Sequence, residues 1–542
     1  MRMPKLFLVL IFLSLIFSSC QILPGAAPAW EDEKSEVWWH DAVFYQIFVR
    51  SFYDSDGDGI GDFNGITEKL DYLNDGNPET DTDLGVTGIW LMPIHPSPTY
   101  HGYDVMDYFA VNPQYGTMDD FKNMVAEAKK RGIHVIIDFV INHTSLQHPW
   151  FVASTKGEAP YADYYIWADT NPGYNSPWGS NVWHSASGRF YYGIFDTAMP
   201  DLNYDTPAVT DEIEQIANFW LNEVGIDGFR VDGAKHLLEE GQVQENTPAT
   251  EQWFQNFSKF YDQAKPEAVI VGEIWSPSAE VAKYLDEGEL DLAFNFDLAN
   301  EILAGATFRE ARRVNNSLTQ QVRTFGENRW ATFLSNHDQT RVMTKVGGEM
   351  QRAKAAATLL FTVPGVPFLY YGEEIGMTGD KPDPLIRTPM QWSAGQNSGF
   401  TTGTPWQSIN GDAAIKNVEV MDQDEDSLLN HYRTMIQIRN NHYALREGQF
   451  VEVISNSRGL FAMLRVAEKE TVLVIVNLGN EAVTDPRLRW AASPLNGKYK
   501  PTVLFGEGKV APFTVADDGS LEEYQPLPEI PANGTLIVQF RP

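Results

Sequence analysis

Cysteine is almost absent from this chain: Cys20 is the only one in 542 residues. No disulfide can form within one molecule, so the fold has to rest on a packed core rather than on covalent cross-links. Basic residues are scarce as well, with 40 Lys and Arg against 73 Asp and Glu and a formal net charge of −33. A surface of that sign repels phosphate backbones and anionic lipid, which argues against nucleic acid as a partner. Long hydrophobic runs are missing apart from LFLVLIFLSLIF, Leu6–Phe17, and that run is shorter than the ~20 apolar residues that span a bilayer. No repeat or low-complexity tract follows about residue 36.

The one apolar run is preceded by Arg2 and Lys5 and followed by Ser18, Ser19 and Cys20, the order of a cleaved export signal. With Cys20 placed there, residues 1–20 resemble a bacterial lipoprotein signal, in which the cysteine is lipidated and becomes the first mature residue. Ordinary secretion is the alternative. Residues 21–36 hold the Pro/Ala stretch Leu23–Ala29 and then EDEKSE, and they read as a tether. The expected location is extracellular or cell-surface, with membrane contact only through the anchor, and the expected state is a monomer.

A chain this long holds two or three domains. Beyond Val37, eight β-branched or aromatic runs alternate with helical patterns: AVFYQIFVRSF, VTGIWLMPI, HVIIDFVINHT, IDGFRVDGAKH, AVIVGEIW, LDLAFNFDL, WATFLSNHD and PFLYYGEEIGM. Eight βα units predict an α/β fold of the (β/α)8 barrel type over residues 37–143 and 206–445. Residues 144–205, rich in Trp, Tyr, Pro, Gly and Asn without periodicity, are too long for a βα loop and predict an inserted domain B. From 446 to 542 short alternating strands such as LFAMLRV and TVLVIVNL predict a C-terminal antiparallel β-sandwich.

Barrel chemistry sits at the C-terminal ends of the strands. There the sequence places Asp138, Asn142 and His143 on the third strand, Arg230, Asp232, Lys235 and His236 on the fourth, Glu273 on the fifth, and Asn336, His337 and Asp338 on the seventh. Any one of the acids fits a plain helix-capping role. Four of them gathered with Arg, His and Lys do not, because burying carboxylates together is costly and stability gives no reason for it. Glycoside hydrolysis gives one, since it needs a carboxylate nucleophile and a carboxylic acid beside the same bond. Fifteen Trp and twenty-two Tyr also offer flat faces for sugar rings.

FVINHT with Asp138, GFRVDGAKH, GEIW and FLSNHD resemble, in order, the four signature regions of the α-amylase family of glycoside hydrolases, and MPDLNY at Met199–Tyr204 resembles its fifth. The resemblance covers about residues 37–542. It implies Asp232 as nucleophile, Glu273 as acid and base, and Asp338 as transition-state stabiliser in a retaining double displacement. It further implies that Tyr103, Asp138, His143, Arg230, Lys235, His236 and His337 bind substrate. Arg230, on the same strand face as Asp232, is expected to hold the nucleophile ionised, while neighbouring carboxylates raise the pKa of Glu273.

Lys235-His236 and HGYDVMDY look like α-amylase segments, whereas YQIFVRSF, DGDGIGD and RTPMQW resemble the oligo-1,6-glucosidase branch, and MPDLN lies between that branch and the neopullulanases. An intermediate group is implied, with endo-hydrolysis of α-1,4-glucans such as starch and maltooligosaccharides as the expected activity. The alternatives are a neopullulanase, maltogenic or α-glucosidase-type enzyme, and an inert starch-binding surface lipoprotein.

Calcium is the expected metal, at two places. In DSDGDGIGDF, Asp54, Asp56 and Asp58 take alternate positions, Ile60 offers a carbonyl and Asp62 follows, the start of a calcium-loop spacing. Gly65 stands where a sensor needs a bidentate Glu, so a structural clip is expected, with a bare acidic turn as the alternative; relatives in the oligo-1,6-glucosidase branch have a similar loop. The family resemblance implies a second site at Asn142, Asp201 and the carbonyl of His236, with Asp163 or Asp196 as candidates to complete it.

Overall fold

The structure, a computed structural model, describes residues 34–286 and 288–541. The signal, Cys20 and most of the expected tether lie outside the described residues. Among those described, no helix is long and apolar enough to cross a membrane.

Eight parallel strands close into a barrel: Phe44–Ile47, Gly88–Leu91, His134–Phe139, Gly228–Val231, Val269–Gly272, Leu292–Phe294, Trp330–Thr332 and Val366–Tyr370. Seven fall inside predicted runs and the eighth begins one residue before its run, at Val366; each pairs with its neighbour in sequence until the first meets the last at Phe44↔Phe368. These strands are apolar at successive positions because helices cover one side and the barrel interior fills the other. Phe44, Trp90, Ile136, Val271, Phe294 and Phe368 form that filling, with the Phe44 and Phe368 rings stacked 4.3 Å apart.

The helix Met118–Lys130 shows how the crossovers are encoded. Thr117 and Asp120 form a reciprocal capping box, and Asp119 and Lys130 complement the two ends of the helix dipole. Phe121, Met124, Val125 and Ala128 turn one face to the barrel.

Domain B follows the third strand. It holds a helix, Pro149–Ser154, and a three-stranded antiparallel sheet in which Arg189–Tyr192 lies between Trp167–Ala168 and Trp183–Ala186. Bridges His143↔Asp201 and Tyr165↔Leu202 tie its exit to its entry.

The C-terminal region begins at Gln449, after the last barrel helices, Leu428–Asn441 and Tyr443–Glu447. Its main sheet has six antiparallel strands, with Leu460–Val466, Thr471–Asn477 and Thr535–Arg541 at the centre. The alternation expected there is replaced by strands buried on both faces. Phe461, Met463, Val472, Val474 and Val476 join the barrel's core, while Leu460, Leu464, Leu473 and Ile475 pack on Trp490 and Tyr524 of a smaller sheet.

The chain enters at the starts of the strands. Trp38 stacks on His134 with centroids 3.7 Å apart and donates its indole N–H to Glu267 O at 2.7 Å. Ser35 donates to Asp41, and Asp41 pairs with Arg446 at 2.9 Å. Residues 34–36 therefore belong to the folded unit, and any tether ends before them.

Candidate active site

Side chains two apart on a strand share a face, so GFRVD sends Arg230 and Asp232 to the same side at the end of the fourth strand. Arg230 is fully buried. Its Nη1 donates to Asp138, and to Asp232 Oδ1 at 2.7 Å; its Nη2 donates to Glu273 Oε2 at 2.5 Å. One guanidinium thus brings together carboxylates from the third, fourth and fifth strands, a task its planar fork suits and an ammonium does not.

Glu273 is pushed up to about 7 by burial, with Asp232 and Asp338 adding to the rise and Arg230 opposing it. Burial likewise pushes Asp138 up to about 7 against the pull of Arg230. Gly233 completes the environment of Glu273: its N–H lies 3.3 Å from Oε2. It has φ 51°, and a Cβ there would stand 2.9 Å from Phe195 Cζ, so only glycine admits both the turn and the close ring.

On the other side, Asp338 accepts from Arg387 Nη2 at 2.8 Å and faces His337 Nε2 at 2.9 Å. The Gln46 amide meets His337 Nδ1 at 2.7 Å, which leaves the ring proton on Nε2, where the Tyr103 hydroxyl lies at 2.6 Å and Asp338 at 2.9 Å. Burial lowers His337 and keeps the ring neutral. Burial would raise Asp338, yet it is held below the usual carboxylate range by His337 beside it and then by the Arg387 and Arg230 charges.

A cavity of about 360 Å³ opens here, lined by Asp232, Glu273, Asp338, Tyr103, His143, Phe195, Arg387 and Asp383, among others. Three of the four strand-end acids reach it. Asp138, Arg230 and His337, expected to touch substrate, are fully buried beneath it. Asp138 is occupied by Arg230, by the Trp90 indole at 3.1 Å and by Tyr103. His143 lines the cavity with its buried Nε2 unpartnered, and burial lowers its pKa to about 4. Lys235 pairs with Glu245 at 2.7 Å and donates to Trp275 O at 2.9 Å. His236 is buried and bonded to Gln244 O at 2.8 Å.

Sequence reasoning passed over Arg387 and Phe195. Arg387 opens RTPMQW, a motif noted above only as a branch marker, and Phe195 carried no motif signal.

The acidic loop places oxygens of Asp54, Asp56 and Asp58 within 4.8 Å of one another, a hard-oxygen set that fits calcium. Asp62 also caps the helix Phe63–Glu68 through Gly65 N and accepts from Ser55. The loop also braces residues 400–406, through Asp54 N to Phe400 O at 3.0 Å and Trp406 N to Gly59 O at 2.9 Å.

At the second place Asn142 Oδ1 and Asp201 Oδ2 are buried without hydrogen-bond partners, as is Glu239 Oε1. Burial pushes Asp201 up to about 8, and burial together with the Asp201 charge raises Glu239. Unpaired buried oxygens are costly, and a divalent cation is the chemistry that satisfies several at once. Asp163 and Asp196, the expected candidates to complete the set, are exposed rather than buried. Glu239, three residues past His236, escaped the sequence reading because it lies outside every motif.

The profile of the α-amylase catalytic domain matches residues 46–448. Alpha-amylase 3 of Dictyoglomus thermophilum is 40% identical over 451 residues, covering 82% of this chain and 86% of that protein. Oligo-1,6-glucosidase of Parageobacillus thermoglucosidasius is 31% identical over 520 residues, covering 82% and 91%. The crystal structure of an alpha-amylase from H. orenii superposes with a TM-score of 0.80 at 42% identity, over 92% of this chain and 99% of that one. Relatives of both activities fit an intermediate group, and the chain belongs to the α-amylase family of glycoside hydrolases.

Proposed function

We propose that the protein is a retaining endo-acting α-amylase, cleaving internal α-1,4 bonds of starch and maltooligosaccharides. The observation that carries the chemistry is the Arg230 fork, which holds Asp232 and Glu273 against one guanidinium at 2.7 and 2.5 Å. Asp232 attacks the anomeric carbon while Glu273 gives its proton to the leaving oxygen. A β-glycosyl ester forms, and Glu273, now a base, takes a proton from the water that opens it. Asp338, ionised beside Arg387, binds sugar hydroxyls and favours the cationic transition state. The 40% identity to an α-amylase supports starch as substrate.

Structural calcium belongs to this reading, held by Asp54, Asp56 and Asp58 in the clip and by Asn142, Asp201 and Glu239 between domain B and the barrel. So does export, with lipid attached at Cys20. A second reading, an α-glucosidase type, draws on the Arg387–Asp383 pair at 3.1 Å beside Asp338 and on the glucosidase relatives. Thin-layer analysis of early products from soluble starch decides between them. Mixed oligosaccharides support the endo reading; glucose or maltose alone from the first time point sinks it.

A further inference from the structure

Trp178 is half exposed, at 50%, although it sits beside the buried catalytic machinery. It occupies the tip of a tight domain B hairpin, closed by the bridge Asn175↔Asn181 and by Ser176 N to Ser180 O at 2.8 Å. Gln244 Nε2 ties the hairpin to the barrel by donating to Asn175 O at 3.1 Å, and Gln244 O in turn accepts from His236. The ring is therefore held in place before any ligand arrives, which reduces the ordering cost of binding.

Its surroundings give it a direction. One face of Trp178 lies along Phe195, with centroids 6.0 Å apart and planes 26° from parallel, and its edge meets His236 at 5.7 Å. Phe195 lines the cavity and presses on Gly233, whose N–H faces Glu273 Oε2. The proton donor acts on the leaving oxygen, so Phe195 and then Trp178 lead outward from the scissile bond on the leaving-group side. The Asp338–Arg387–Asp383 ion pairs occupy the other side. A ring needed only to cover Phe195 gains nothing from leaving half its surface in water.

We propose that Trp178 is a stacking platform for a glucose unit of the leaving-group chain, beyond the sugar next to the cleaved bond, and that it sets the preference for long substrates. This rests on the α-1,4-glucan reading above. The apolar C–H face of a pyranose covers the free side of the indole, as aromatic side chains do for other flat partners. A trisaccharide gains little from this platform, because it extends less far past the scissile bond; a heptasaccharide reaches it.

The test compares the full-length protein with Trp178→Ala and Trp178→Phe on maltotriose and maltoheptaose. The expected result is a roughly tenfold fall in the ratio of kcat/KM for maltoheptaose to that for maltotriose in Trp178→Ala, carried mainly by KM for the longer sugar. Trp178→Phe keeps most of the wild-type ratio. A ratio unchanged within about twofold, or an equal fall on both substrates, overturns the proposal, since a purely structural ring would act on both alike. Wild-type protein that releases only glucose or maltose from starch at the outset sinks the endo reading, and the ratio still decides the role of Trp178.

Discussion

Arg230 Nη2 and Glu273 Oε2 lie 2.5 Å apart, and yet the Glu273 carboxyl is pushed up to about 7. A cation in contact normally lowers a carboxyl pKa. Here the same cation is divided among three carboxylates, and burial together with Asp232 and Asp338 outweighs it.

The pH profile follows from that balance. A general acid must carry its proton in the free enzyme, so kcat/KM should fall as pH rises through about 7. Asp338→Asn removes one negative neighbour, so whatever activity remains should decline at lower pH. Glu273→Gln should cost roughly 10²–10⁴-fold or more in kcat at every pH. An alkaline limb near the ordinary glutamate value, or a Gln variant as active as wild type, would refute the assignment.

Arg230→Lys replaces a fork with a point charge. It should lower kcat/KM at least about 100-fold, as expected when positioned groups shift by about 1 Å. Arg230→Ala should also destabilise the fold by about 3–5 kcal/mol, the scale for breaking a buried pair. Because Asp138 and Glu273 are pushed up to about 7, they hold protons below that pH and carry charge above it. The Tm deficit of Arg230→Ala should therefore be larger at pH 8 than at pH 6, read by thermal denaturation in matched buffers.

Calcium titration of chelator-treated protein should show two binding events and a rise in Tm. Asp54→Asn with Asp56→Asn should remove one event, and Asp201→Asn with Glu239→Gln the other. If Glu239→Gln alone leaves the heat and affinity of the second event as in wild type, Glu239 is not a ligand. Calorimetry reads this without any activity assay.

Phe461 belongs to the barrel's core although it lies on a strand of the C-terminal sheet. Phe461→Ala should cost about 3–5 kcal/mol. A chain truncated after Glu447 should fail to give a soluble barrel, and intact protein should melt in one transition by both far-UV and near-UV circular dichroism. Two separate transitions would show that the sheet is an independent domain.

The barrel was legible because its strands are short apolar runs at regular spacing, and the strand-end acids were legible because four multi-residue motifs carry them. What those acids touch was not. Asp138 and His337 stand within signature motifs like Asp232, and only packing distinguishes a buried positioner from a residue that lines the cavity. The double-sided burial of Leu460–Val466 was misread because alternation in sequence and burial on two faces look alike in a seven-residue run. Asp62 has the spacing of a ligand, and its second role as a helix cap shows only in the fold. Glu239 and Phe195 reach the site through loop paths that no periodicity encodes.

The contacts at the strand starts also join the two ends of the barrel sequence. Trp38 stacks on His134 at the start of the third strand, and Asp41 pairs with Arg446 in the last barrel helix. The first described residues and the helix that completes the eighth unit thus brace one another at the end of the barrel opposite Asp232 and Glu273, so a change there alters stability without touching the catalytic groups.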